Sequence, residues 1–213
     1  MGNRESLLAG AQRCLYEKGY ARTTARDIAA ASGVSLAAIG YHFGSVEALL
    51  NAAMIEAIDE WGQQLQRDLA ADANRYAAME PLERFAAVWA RILDSFETQR
   101  ALWVATLEVA AQIERAPEVR AFLAEALQQG RLGLAELFQG IDPVTDEHTA
   151  WLVGSLYQAL MSGVAIQWLA DPARAPSGAD LAHALRIITE SVEDEDSGDD
   201  SGENSGENSG ENM

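Results

Sequence analysis

The chain has 213 residues, of which 48% are hydrophobic, and it carries a net charge of −18. Its single cysteine, Cys14, excludes an internal disulfide framework and a metal site built from several cysteines. The sequence opens without a signal-peptide pattern and holds no run of about eighteen apolar residues. We therefore expect a cytoplasmic protein.

The negative charge is unevenly distributed along the chain. Residues 1–50 have a net charge of +1, whereas residues 191–213 hold nine acidic residues and no basic one. The last segment repeats Ser-Gly-Glu-Asn three times and has almost nothing apolar to bury, so residues 193–213 are expected to form a disordered acidic tail. Such a tail either solvates the protein or mimics DNA. The N-terminal segment is the one that a polyanion would not repel outright.

The residues before the tail have the pattern of helices. Apolar residues recur at intervals of three and four, and no stretch alternates as a strand would. The pattern predicts an all-α fold with a short-helix N-terminal domain over residues 1–46 and a larger helical domain over residues 47–192. The nine expected helices are 4–18, 25–32, 36–43, 46–70, 81–97, 100–114, 117–139, 145–169 and 178–190.

The second and third helices have the pattern of a helix-turn-helix. Thr24, with Asp27 three positions later, predicts a variant of the capping box at the start of the second helix. Gly33 suits the tight turn that follows, and Ser35 is expected to cap the third helix. Two short helices joined in this way are typical of DNA-binding domains.

The third helix, residues 36–43, has one apolar face and one face that needs no burial. Ile39 and Phe43 are four residues apart and are expected to point inward. The small residues on the opposite face allow a close approach in the major groove, and Leu36 offers a methyl contact to thymine. Nearby hydroxyl, imidazole and guanidinium groups suit phosphates. The expected DNA-binding residues are Arg22, Thr23, Thr24, Arg26, Ser35, Leu36, Ala37, Ala38, Gly40, Tyr41, His42 and Ser45.

These residues belong to a longer ordered set. Residues 4–50 contain Gly19 and Tyr20, a pair of threonines, and the runs DIA, GVS, YHF and EALL in that order. With this set, the segment resembles the N-terminal DNA-binding domain of TetR-family transcriptional regulators.

The resemblance implies roles for individual positions. It implies that residues 36–40 face base edges, and that phosphates are contacted by Thr24, Ser35, Tyr41 and His42. The chain departs from the family at two positions. Family members usually carry lysine where this chain has Val46, and they often carry an aromatic residue where it has Gly40. The missing lysine predicts a smaller salt dependence of DNA binding, by about 0.9 per phosphate contact.

The larger domain contains many aromatic residues at core-like spacing. Each of them alone is typical of plain core, but several converging with a few polar groups would form an apolar pocket. The family resemblance, which is weaker here, implies such a pocket for a flat or apolar small molecule. The expected effector-binding residues are Trp61, Trp89, Phe96, Trp103, Glu108, Gln112 and Phe122.

The last two helices are apolar on most sides and carry small residues that permit close packing. A chain of this size has difficulty covering such a pair, which predicts a two-fold dimer whose interface is a four-helix bundle. The alternative is an intramolecular core. The expected interface residues are Trp151, Gly154, Leu156, Met161, Gly163, Leu181, Leu185 and Ile188.

No motif for catalysis, phosphate binding or metal binding occurs in the sequence, so no enzyme activity, cofactor or metal is expected. The favoured interpretation is a dimeric regulator, expected to be a repressor, that binds a palindromic operator in double-stranded DNA and is released by a small effector. The alternative is a helical ligand-binding or protein-interaction module whose DNA affinity is weakened. No membrane partner is expected.

Overall fold

The computed structural model describes residues 2–114 and 117–199, with side chains up to residue 191. These ranges form helices joined by short loops and contain no strand, which confirms the all-α prediction. The helices are α1 (Asn3–Lys18), α2 (Ala25–Ser32), α3 (Leu36–Phe43), α4 (Val46–Ala71), α5 (Ala73–Ala77), α6 (Pro81–Thr98), α7 (Arg100–Ala110), α8 (Pro117–Gln139), α9 (Glu147–Ala170) and α10 (Gly178–Asp199).

The helices differ from the sequence prediction in three places. The short helix α5 lies in a segment that was expected to be a loop, and α7 ends at Ala110 instead of residue 114. Helix α10 continues to Asp199, past the predicted start of the acidic tail at residue 193, because no glycine or proline interrupts it before Gly198. The rest of the predicted tail, residues 200–213, lies outside the described residues.

The first hydrophobic core joins the N-terminal helices to the beginning of α4. Leu7, Ile28 and Leu49, from α1, α2 and α4, are fully buried in it. The Tyr20 hydroxyl donates a hydrogen bond to Asn51 Oδ1 at 2.8 Å and thereby ties the loop after α1 to α4. This core also takes in buried residues of α7, so it continues beyond residue 46, where the sequence suggested a boundary.

The second hydrophobic core lies among α4, α6 and α9. Trp89, Ile92 and Phe96 are fully buried along one face of α6, and Val164 of α9 packs against them. The indole of Trp61 on α4 contacts both cores. One long helix therefore connects the N-terminal domain to the larger domain.

Two pairs of helices pack at very short range. At Gly154, α9 lies so close to α8 that a Cβ atom would overlap the carbonyl oxygen of Arg131. A Cβ atom at Gly178, at the start of α10, would overlap the Ala86 carbonyl oxygen of α6. Glycine at these positions allows the backbones to approach.

Helix α9 is unusually apolar. Over an 18-residue window its mean hydropathy is 1.3, which makes it the one helix of the described ranges that could cross a bilayer by length and composition. No such helix was expected from the sequence. Part of this character is explained by burial, since Ala150, Tyr157 and Val164 face the core.

Candidate DNA-binding surface and effector cavity

A short turn joins α2 to α3 and sets their relative direction. The Thr24 hydroxyl accepts a hydrogen bond from the Asp27 N–H at 3.3 Å, and the Asp27 carboxylate accepts one from the Thr24 N–H at 2.9 Å. Helix α2 ends at Gly33, whose φ of 70° lies in the left-handed region that favours glycine. The predicted capping box is therefore present, and the turn leads directly into α3.

Helix α3 divides into a buried and an exposed side. Ile39 is 3% exposed and points into the first core, whereas Tyr41 is 85% exposed and Leu36 is 48% exposed. Ala37 and Gly40 are exposed beside them. We call Leu36, Ala37, Gly40 and Tyr41 the reading face of α3, since a duplex can approach this side without displacing core residues.

Two of the residues predicted to bind DNA are placed elsewhere by the structure. Thr23 is buried, and its hydroxyl donates to the Gly19 carbonyl oxygen at 2.7 Å, so it offers no free group to a phosphate. Ala38 is half-buried against the first core because it neighbours Ile39 on the inward edge of α3. The prediction of a DNA contact is wrong for Thr23, and for Ala38 it stays a prediction.

Polar side chains stand at the ends of α3 and at the start of α4. Ser35 occupies the N-cap position of α3 but makes no capping hydrogen bond, contrary to prediction, and its hydroxyl is exposed. Ser45 caps α4 and is also exposed. The His42 ring is half-buried and lies edge-on to Tyr41, with 4.9 Å between the ring centroids. Val46 packs against the first core.

Basic side chains near the start of α2 remain accessible. Lys18 is paired with Asp27 at 2.5 Å, and this hydrogen bond, together with those from Thr24, lowers the Asp27 pKa to about 2. The Arg22 Nε donates to the Lys18 carbonyl oxygen at 2.7 Å. Arg22 and Arg26 are both exposed, so each can present its guanidinium group to a phosphate.

Three of the predicted effector-binding residues pack against one another. The Trp61 and Trp103 ring centroids are 5.2 Å apart, and those of Phe96 and Trp103 are 4.8 Å apart. Trp168 of α9 adds a fourth ring, 5.7 Å from Phe96. The Trp61 indole N–H donates to Ser95 Oγ at 2.9 Å. These rings pack against one another, so they belong to the core and do not line one shared pocket.

Trp89 lies in a different part of the domain, in the wall of a cavity of about 460 Å³ between the end of α4, α5, α6, α8 and α9. Phe85 and Trp89 are 6.0 Å apart between centroids, and Phe138 and Tyr157 are 4.6 Å apart. We call this space the aromatic cavity. Tyr157 was not among the predicted effector residues, because its helix was expected to form the dimer interface.

A groove of about 370 Å³ between α4 and α8 adjoins the aromatic cavity and shares Gln66, Glu136 and Leu137 with it. Gly62 of α4 and Gly133 of α8 line this groove, and a Cβ atom at either position would meet no atom within 4 Å. The groove and the aromatic cavity therefore lie side by side against α4 and α8.

The remaining predicted effector residues lie near the N-terminal domain. The Glu108 carboxylate accepts a hydrogen bond from the Ala21 N–H at 3.0 Å, and Gln112 donates to the Glu108 carbonyl oxygen at 3.2 Å. Phe122 packs against the first core. The seven predicted residues thus do not converge on one pocket, because α7 turns its polar side toward α1.

The residues predicted at the dimer interface fall into three groups. Gly154 and Met161 are buried inside the subunit, so the prediction is wrong for these two. Gly163, Leu181 and Leu185 are half-buried, and Leu181 packs against the second core. The exposed members are Trp151, Leu156 and Ile188, and they are joined on the surface by Leu152, Ile166 and Ile187.

Comparison with known proteins identifies the family. Residues 7–53 match the family described as "Bacterial regulatory proteins, tetR family", and residues 80–191 match "Tetracyclin repressor-like, C-terminal domain". The chain belongs to the TetR family. The resemblance seen in residues 4–50 is thereby confirmed. The members of this family are transcriptional regulators with DNA-binding and ligand-binding domains, and they are not enzymes.

Individual relatives agree with this assignment. Over 84 residues the TetR-family chain is 36% identical to the HTH-type transcriptional repressor AcnR of Corynebacterium efficiens, a match covering 36% of this chain and 45% of that repressor. The match thus spans about half the length of that curated relative.

Two solved structures show the same fold. A protein described as the transcriptional regulator SCO7518 of Streptomyces coelicolor is 25% identical, with a TM-score of 0.61 over 88% of this chain and 98% of that chain. The multidrug binding protein EbrR, solved with proflavin, is 22% identical, with a TM-score of 0.57 over 86% of this chain and 97% of that chain.

Proposed function

We propose that this TetR-family protein is a cytoplasmic, dimeric repressor that binds a palindromic operator and leaves it when a small apolar or aromatic effector binds. The observation that carries the proposal is the orientation of α3, with Ile39 in the first core and Tyr41 almost fully exposed. A structural bundle has no need of a short helix that leaves its small residues and a tyrosine in water. A duplex does need such a face.

The proposed DNA contacts follow from exposure and chemistry. The reading face enters the major groove, where Leu36 and Ala37 contact thymine methyl groups and the absence of a side chain at Gly40 allows close approach. Tyr41 and the free hydroxyl of Ser35 donate to phosphates, and the exposed Arg22 and Arg26 add charge. Sequence selectivity then depends on shape and methyl contacts, because the reading face carries no bidentate base reader.

The proposed dimer forms through α9 and α10. Leu152, Leu156 and Ile166 are about half exposed on α9, and Ile187 and Ile188 are more than half exposed on α10. Several large apolar side chains left exposed on two helices are typical of interaction sites in soluble proteins. Pairing these helices with those of a second copy would relate the two α3 helices by a two-fold axis, the symmetry of a palindromic operator.

The proposed response to an effector passes through α7. One face of α7 places Leu102 and Val109 in the first core, while Trp103 on another face packs against the second core. Both ends of α7 are bonded to the N-terminal domain. Gln99, just before α7, accepts a hydrogen bond from the Tyr16 hydroxyl at 3.1 Å, and the Glu108 carboxylate near its end accepts one from the Ala21 N–H. A ligand that shifts the second core therefore moves a helix bonded to the N-terminal domain.

The proposal is tested by a gel shift with the DNA upstream of the protein's own gene. The binding is measured at about 50 mM and at about 200 mM salt. We expect specific binding that weakens with salt. Tyr41→Ala should weaken it about tenfold through a lost phosphate contact, without changing the thermal midpoint. Val144→Ala is the control, since Val144 is 90% exposed in the loop before α9.

A different result would favour the second candidate, a helical ligand-binding module with weakened DNA affinity. The observation in its favour is Val46, which packs against the first core at the position where the family resemblance implies a phosphate-binding lysine. That candidate predicts no specific complex at either salt concentration, and none after removal of residues 200–213. It also predicts no difference between the Tyr41 and Val144 variants.

A further inference from the structure

The aromatic cavity has an apolar wall suited to a flat ring. Phe85, Trp89 and Tyr157 form a connected set, with Phe85 6.0 Å from Trp89 and 6.4 Å from Tyr157 between ring centroids. Phe138 extends the wall on the α8 side. The volume of about 460 Å³ lies within the range of small-molecule sites.

Hydrogen-bond donors predominate among the buried polar groups of this wall. The Tyr157 side chain is 94% buried; its oxygen accepts from Gln139 Nε2 at 2.6 Å, and its own O–H has no acceptor among the described residues. The Trp89 residue is fully buried, and its indole N–H also lacks an acceptor within the described part of the chain. A buried donor without an acceptor is unfavourable, and at Tyr157, which lines the cavity, an acceptor atom supplied by a ligand would remove that cost.

The charged groups at the cavity are one base and one acid. Arg84 lies in its wall and makes no ion pair within the described ranges, and Glu136 lies at the side shared with the neighbouring groove. Burial raises the pKa of Tyr157, while the hydrogen bond from Gln139 and the charge of Arg84 oppose that rise, so Arg84 acts electrostatically at the Tyr157 oxygen. The phenol ring of Tyr76 also lines the wall.

We propose that the aromatic cavity binds a planar aromatic carboxylate. The ring lies among Phe85, Trp89 and Phe138, and the carboxylate accepts hydrogen bonds from the Tyr157 hydroxyl and the Arg84 guanidinium. An aromatic cation is disfavoured here because the buried donors would face its positive group while Glu136 stands to one side. This inference rests on the proposed function, since it specifies the chemical class of the effector.

Three probes of one shape separate the possibilities: 1-naphthoate, 1-naphthalenemethanol and 1-naphthylmethylammonium. Isothermal titration calorimetry on the full chain should show 1-naphthoate binding once per subunit, about tenfold or more tightly than the ammonium compound, with the alcohol between them. Tighter binding of the ammonium compound, or no binding of any probe, would overturn the proposal.

Two variants test the assigned donors. Arg84→Gln should weaken 1-naphthoate about tenfold and the alcohol much less, while Tyr157→Phe should weaken both by removing a hydroxyl donor. Arg91→Gln is the matched control, since Arg91 lies on the same helix and pairs with Asp68 at 3.2 Å outside this cavity. An Arg84 variant that binds 1-naphthoate as the wild type does would refute the site. Arg84 is exposed, so its replacement leaves the fold intact.

The gel shift separates failure of this inference from failure of the proposed function. Specific DNA binding without 1-naphthoate binding would retain the regulator and reject the ligand class. Binding of 1-naphthoate without any DNA complex would retain the site and reject the regulator. If 1-naphthoate releases the DNA, and if it does so less effectively with the Arg84 variant, the result supports both the regulator and the ligand site.

Discussion

Single residues of the N-terminal domain show how its polar groups are accommodated. Cys14 is 2% exposed, and burial raises the pKa of its thiol, so it acts as a small apolar core residue. Burial also raises the pKa of Tyr20 to about 12, and its hydroxyl keeps its proton to bond with Asn51. The pKa of Asp27 is lowered instead, since Lys18 and Thr24 stabilise its ionised form.

Stability of the N-terminal domain should depend on Asp27 in acid. Its pKa in the folded protein is about 2, below the ordinary 3.8, so its stabilising effect is full above about pH 4 and is lost as the pH falls toward 2. Asp27→Asn should lower the thermal midpoint at pH 7, and the difference from wild type should shrink between pH 4 and pH 2. Circular dichroism melts measure both.

Glu56→Gln serves as the control for that prediction, because Glu56 is exposed on α4 and has no ion pair within the described residues. A difference between Asp27→Asn and wild type that stays constant down to pH 2 would contradict the linkage.

At the scale of elements, glycine positions decide which helices can approach. Gly154 lets α9 pack directly on the backbone of α8, and the two helices form the longest-running contact of the larger domain. Gly133 of α8 is different, since it faces the open groove. The same residue type therefore has a packing role at one position and only a conformational cost at the other.

Replacing these two glycines should have opposite effects. Gly154→Ala places a Cβ atom against the Arg131 carbonyl oxygen and should destabilise the fold by about 2 kcal/mol or more, as overpacking does. Gly133→Ala should stabilise it by about 0.5–1 kcal/mol through helix propensity. Urea unfolding followed by circular dichroism gives both values. Equal effects of the two replacements would show that α8 and α9 are not in this close contact.

At the scale of the whole molecule, the subunit has two cores and an exposed apolar side. Trp61 of α4 contacts both cores, and α7 crosses between them, so the two domains are mechanically connected. Ile188 of α10 is 60% exposed, and Leu156 of α9 is 54% exposed, on surface that the subunit itself does not cover. A second copy of the chain would cover it.

A charge at that surface should dissociate the proposed dimer. Ile188→Glu would bury a carboxylate at the interface and should weaken dimerisation about a hundredfold or more, whereas the fold of the subunit should not change because the side chain is exposed. Sedimentation velocity at micromolar concentration measures this. Val144→Glu is the control, at a position that is 90% exposed in a loop. Persistence of the dimer in the Ile188 variant would place the interface elsewhere.

The helices and the DNA-binding domain were largely predictable because their signals are local. Thr24, Asp27 and Gly33 specify the start and end of α2 within ten residues, and the spacing of Ile39 and Phe43 orients α3. Thr23 was misassigned, because nothing local distinguishes a threonine bonded to Gly19 from one facing water.

The sequence by itself determined the all-α fold, the helix-turn-helix and the family, since capping residues, turn glycines and apolar periodicity act over a few residues. Only the tertiary structure decided which aromatic residues face a cavity. Trp89 and Phe96 share one face of α6, yet the first lines the aromatic cavity and the second is packed among other rings. That difference arises from the neighbours that α8 and α9 bring, and contacts between residues far apart in sequence leave no local pattern.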